Sequence, residues 1–211
     1  MKNNLKGCNE NLKFVGKSML KFLLISICVA ACMAFMVGLA YIDISNDGKI
    51  QDASYTENLQ ESLLLFSSII FMYLARKYNK NGLYMVGGFL LCMFIREWDA
   101  VFDALFHGAW KYFAIPAAGL FTYLGIRKGV EKAAGDLAEF IKSNAYNILV
   151  IGLIIVLAVS RLLGTKAIWL LMSGDDFKYV FKSFVEEGTE LLGYMTIFTG
   201  SVYYYILSRK Q

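Results

Sequence analysis

Apolar residues in this chain come in long blocks separated by short polar stretches, rather than at the regular spacing of an amphipathic helix or strand. Residues 19–42 run MLKFLLISICVAACMAFMVGLAYI and residues 146–163 run YNILVIGLIIVLAVSRLL. Each supplies most or all of the roughly 20 residues a helix needs to cross a hydrocarbon core. Four weaker blocks, 60–75, 82–103, 109–126 and 186–207, repeat the pattern. The expected fold is an all-α integral membrane protein: a six-transmembrane-helix bundle formed by residues 19–208, preceded by a basic cytoplasmic tail, 1–18. The first block is about twice as long as the core of a secretory signal, so it is read as a retained span and not a cleaved leader.

Between the third and fourth blocks there is no polar loop, only REWDAVFDALFHGAWKYFAIP. The uninterrupted apolar stretch 83–95 reaches only about 20 Å as a helix, short of the core's ~30 Å. The third span is therefore expected to carry charge into the membrane's outer part. The fourth has the same shortage and contains Pro116, a source of kinking. Segment 127–145, with Ala, Glu and Lys at helical spacing, predicts a surface helix. Residues 168–172 (IWLLM) suit the membrane interface, and Ser173 to Asp176 offer caps for a helix that runs into the sixth span.

Composition agrees with the blocks: 57% of residues are hydrophobic, and the mean hydropathy is +0.50. Such a chain is too apolar for an ordinary water-facing surface. Charge then sets orientation. With the N-terminus in the cytoplasm, fourteen of the 21 basic residues fall on the inner side with four acids, formally +10. The outer side holds seven bases and thirteen acids, formally −6. Basic residues concentrate in cytoplasmic loops of membrane proteins, so both termini are expected inside a bacterial inner membrane. The bases are scattered over short loops and form no stripe, which argues against nucleic acid and for contact with a lipid surface. Cys28, Cys32 and Cys92 lie within apolar blocks and Cys8 in the tail, so no disulfide is expected.

Ionisable groups inside a membrane are costly and mark function more often than other positions do. Continued as one helix, the third span places Arg96, Asp99, Asp103 and His107 within about 80° of one another, and Glu97 on a different face. The sixth span adds Glu186, Glu187 and Glu190, with Tyr194 and Ser201 continuing along nearly the same face. Arg161 and Glu61 reach comparable depth from the fifth and second spans. Asp99, Asp103, His107, Glu186, Glu187 and Glu190 are the candidate cation, proton or metal ligands. Arg96 and Arg161 are the counter-charges, and Glu61, Glu97, Tyr194 and Ser201 the supporting polar groups.

Surplus carboxylates in a low-dielectric layer must bind cations or take up protons. Three functions use that surplus. The preferred expectation is a cation- or proton-linked transporter or channel. The second is a metal-dependent enzyme acting from the outer side on a lipid-linked or small substrate, with Asp99, Asp103, His107 and Glu190 around a divalent metal. The third is a membrane scaffold or partner subunit held to a membrane partner by charge, and a homo-oligomer is expected where a six-helix unit needs a second copy to enclose a path. The chain has a single histidine, which excludes a multi-histidine zinc centre within one subunit and bis-histidine haem. It has no phosphate-binding loop, so no nucleotide is expected.

Overall fold

The computed structural model describes residues 54–173 and 179–209, with scattered positions between 15 and 45. The described residues are helical with no strand among them, so the all-α expectation holds. Cys8, Cys28, Cys32, the basic tail up to residue 14, the caps at Asp175 and Asp176, and most of the first apolar block lie outside the described residues.

Helix α1, Tyr55–Lys77, begins earlier than the apolar block 60–75 because its start is capped from two sides. The Ser54 hydroxyl accepts the Glu57 N–H at 3.2 Å. The Asp43 carboxylate accepts the N–H groups of Tyr55 and Thr56 at 3.0 and 3.1 Å and the Thr56 hydroxyl at 2.6 Å. These donors have no partner within the helix, and a carboxylate there also faces the positive end of the helix dipole. Asp43, only 2% exposed, is thus a buried cap and not a free outer-loop acid.

Helix α2, Leu83–Glu97, ends at Trp98, and a separate short helix α3, Asp99–Asp103, follows. This corrects the single span expected over 82–103. Trp98 sits at φ −83°, ψ 19°, outside the helical well, and Gly108 turns the chain further at φ +78°. Positive φ costs glycine nothing. Arg96 therefore shares no continuous helix with Asp103 and His107, and the common face expected from helical phase is lost.

Helix α4 is Trp110–Ile126, with Pro116 in its interior, and α5, Val130–Ile141, is the expected surface helix. The α5 carboxylate Asp136 accepts the Gly82 N–H at 3.1 Å and so ties α5 to the start of α2. Helix α6, Asn144–Ile154, passes through a π-helical stretch, Ile155–Val159, into α7, Ser160–Leu163. Then come α8, Lys166–Ser173, and α9, Tyr179–Ser208, whose 30 residues include the amphipathic approach to the sixth block.

The long helices pack as a row, α4 against α2, α2 against α1, α1 against α9 and α9 against α6. Polar side chains are buried beside the apolar core of the row, and large apolar ones face outward. Thr56, Gln60, Ser67 and Ser68 of α1 are buried, whereas Tyr112, Ile115 and Tyr123 of α4 are 63–70% exposed. Ser68 donates to the Gly87 carbonyl of α2 at 2.7 Å. Two helical runs among the described residues, Tyr55–Lys77 and Asn144–Leu163, are long and apolar enough to cross a membrane.

Glycine permits a close crossing between α6 and α9. A Cβ on Gly152 would stand 2.8 Å from the Gly193 carbonyl oxygen, and one on Gly193 would run into Val156. Small residues at such positions let two helices approach backbone to backbone.

Candidate functional site

At the end of the bundle away from α5, five elements enclose an open cleft of about 560 Å³. Helix α1 contributes Glu57, Asn58 and Glu61, and the last turn of α2 contributes Arg96 and Glu97. Trp98 with Asp99 and Val101 of α3, Arg161 of α7, and Glu187 with Glu190 of α9 complete the lining. Six carboxylates thus face two guanidinium groups, a formal balance of −4.

The two arginines are already engaged. Arg161 Nη2 lies 2.8 Å from Glu190 Oε1, and Nη1 lies 3.6 Å from Glu186 Oε1. The Ser160 hydroxyl is also within 3.2 Å of Glu190 Oε1. Glu190 is almost fully enclosed, its side chain 4% exposed, while the arginine is 43% exposed. Arg96 Nη1 stands 3.8 Å from Glu97 Oε1, a loose contact between chain neighbours. Its place in the last turn of α2 is favourable in itself, because that helix end carries negative dipole charge. Gln60 joins α1 to α9, its Nε2 donating to the Glu187 carbonyl oxygen at 3.1 Å and lying 3.3 Å from Oε2.

At the deep end stands Tyr194, fully buried one turn beyond Glu190. Its hydroxyl is buried beside Glu97, with Glu190 and Arg96 also near it.

The structure brings together Arg96, Glu97, Asp99, Arg161, Glu187, Glu190 and Glu61 from the sequence-based set, with Tyr194 beneath them. It leaves out four. His107 is 98% exposed on the corner between α3 and α4, paired with Asp103 at 2.9 Å. Asp103 also accepts the Gly108 N–H at 2.7 Å. That N–H, and then the His107 ring, hold the Asp103 carboxyl below the usual carboxylate range. Glu186 lies beside the cleft and is shared between Lys182 and Arg161. Ser201, 0% exposed, donates to the Ile197 carbonyl inside the packed half.

The four-ligand metal arrangement expected from Asp99, Asp103, His107 and Glu190 does not form, because the helix break at Trp98 sends Asp103 and His107 away from the cleft. Among the described residues no three His, Cys, Asp or Glu side chains converge to hold a metal ion. Glu97, read as pointing elsewhere, lines the cleft instead. Glu57 and Trp98 were outside the candidate set. The spacing of Glu57 to Glu61, one helical turn, was the available signal, but the start of α1 before residue 60 was hidden by its polar composition.

Below the cleft the bundle is closed. Phe71 packs edge-on against Phe140 at 5.2 Å and stacks on Tyr204 at 5.9 Å, and Phe140 meets Tyr146 at 5.5 Å. Leu64, Leu74, Leu83, Leu149 and Ile197 fill the space around them. Comparison with known protein families, with characterised proteins and with solved structures finds no match. The geometry of the cleft has to carry the functional reading alone.

Proposed function

We propose that the chain is a six-span protein of a bacterial inner membrane, with both termini in the cytoplasm, that takes a cation into the acidic cleft from the outer side as the binding step of cation- or proton-linked transport. The observation that carries this reading is the cleft itself: six carboxylates against two arginines, open at one end of the bundle and stopped by packed rings at the other. A one-sided site above a sealed half is what an alternating transporter presents in its outward-facing state. A permanently open pore would need a polar path past Phe71 and Phe140, and Ser201 is instead turned onto its own helix.

Membrane placement is supported by three features. Two helices are long and apolar enough to span. The outward faces of α4 and α6 are rich in exposed Ile, Leu and Tyr, while serine and glutamine are buried. The surplus of positive charge lies at the α5 end, away from the cleft. The π-helical stretch just before Arg161 adds a further mark, since π turns inside α-helices recur at functional sites.

The test is charge movement in proteoliposomes on a solid-supported membrane. A jump in external cation concentration should give a transient current with the wild-type protein and none with Glu190→Gln. A current unchanged by Glu190→Gln, or no current with any inorganic or organic cation, would overturn the reading and favour a scaffold held by internal ion pairs.

A further inference from the structure

Resting on that reading of the cleft, we infer that its ligand is a linear organic polycation, an amine carrying two or more ammonium groups, and not a bare metal ion. Three observations point the same way. The first is how the negative charge is arranged. Glu61, Glu97, Asp99, Glu187 and Glu190 come from four different helices, yet among the described residues no three such groups converge as a metal ion requires. A magnesium or calcium ion needs six or more oxygens at about 2.0–2.6 Å. Dispersed carboxylates instead match a ligand whose positive centres are themselves separated.

The second is size. A cleft of about 560 Å³ lies within the range of small-molecule sites, roughly 300–1,000 Å³, and far exceeds an ion with its first shell. The third is an aromatic group in the lining. Trp98 borders the cleft with its side chain partly open, tilted against Phe94 at 5.3 Å and hydrogen-bonded to Glu61, so an ammonium held by the carboxylates has an aromatic ring within the same cleft. Tyr194, fully buried beside Glu97 and Glu190, backs those two carboxylates without itself lining the cleft. Arg161 is paired with Glu190 and Arg96 lies loosely beside Glu97, so the two limit repulsion among acids that outnumber them.

The experiment is isothermal titration of the full chain, purified in detergent at low salt, with spermidine as the probe. Saturable 1:1 binding is expected, at least tenfold weaker in the isosteric double variant Glu97→Gln, Glu187→Gln. Affinity should fall steeply with added salt, as screening requires. 1,5-Diaminopentane should compete where 1,5-pentanediol does not, and magnesium should compete at least tenfold more weakly than spermidine. Should the double variant fail to fold, Trp98→Ala serves in its place. That side chain is on the surface of the cleft, and its loss should weaken binding about twofold to fivefold while Trp98→Phe restores most of it. The proposal is overturned by absent binding, by equal affinity in the variants, or by magnesium or sodium competing as well as the amine. Spermidine binding without charge movement would overturn transport and keep the ligand class. Cation currents without spermidine binding would do the reverse.

Discussion

The two ends of the bundle are built on the same helices and obey opposite rules. Helix α1 places Glu61 in the cleft and Phe71 in the ring cluster, ten residues or about 15 Å further along. Helix α9 repeats the division with Glu190 and Tyr204. In the closed half the rings of Phe71, Phe140 and Tyr204 pack against one another, and stability comes from shape. In the cleft six carboxylates share two arginines, and Tyr194 is buried at the boundary beside Glu97 and Glu190. A single helix can thus hold a rigid seat and a reactive mouth in series, with no loop between them.

The separation of the halves can be broken in stages. The largest effect is expected from Phe71→Ala, which empties the centre of the ring cluster. Deleting a fully buried ring typically costs about 3–5 kcal/mol, seen as a lower melting temperature in detergent. Affinity for spermidine should hardly change, and an equal loss of affinity would show that the halves are not independent.

Next comes Gly193→Val, at the waist where α6 and α9 touch. The added methyl groups meet Val156 and the Gly152 carbonyl, so the helices must part. Overpacking of this kind costs roughly 1–3 kcal/mol, and here both thermal stability and ligand affinity should fall together.

Arg161→Gln acts on the mouth alone. It leaves Glu190 enclosed without its main counter-charge, at a cost of about 2 kcal/mol once the arginine's own exposure is allowed for. The double variant Arg161→Gln, Glu190→Gln should recover most of that stability but not ligand binding. Recovery of both would remove Glu190 from the site.

The smallest effect belongs to Asp103. Its carboxyl is more acidic in the folded corner than in an unfolded chain, because the Gly108 N–H and His107 hold the charged form. A lowered folded value means that the contribution is fully present above the ordinary aspartate pKa, about 3.9, and is lost as pH falls through the folded value. Hydrogen exchange over residues 103–109 should therefore be unchanged near neutrality and quicken in strong acid or in Asp103→Asn. Spermidine binding at neutral pH should be the same in Asp103→Asn as in the wild type. A loss would return the corner to the site.

Much of the helix inventory was legible from block length and capping. The long apolar runs gave α1, α4, α6 and the later part of α9, and the Ala, Glu and Lys spacing gave α5. The acidic layer was legible too, since Glu61, Glu97, Asp99, Glu187 and Glu190 stand at matching ends of antiparallel blocks. The break at Trp98 was not. Helical phase assumes an unbroken helix, and REWDAVFD holds no glycine or proline to announce an interruption, the first glycine after it being Gly108. Asp43 was illegible for a related reason, because a cap twelve residues away in sequence depends on where the chain returns.

Sequence by itself therefore determined the helical class and the presence of an acidic layer, both of which follow from local composition and periodicity. Only the tertiary structure decided which acids share one space. The turn at Trp98 removed Asp103 and His107 and admitted Glu97, and the glycine crossing of α6 with α9 helped set Arg161 against Glu190. Whether charges meet depends on helix ends and crossing distances, which long-range packing sets and local pattern does not encode.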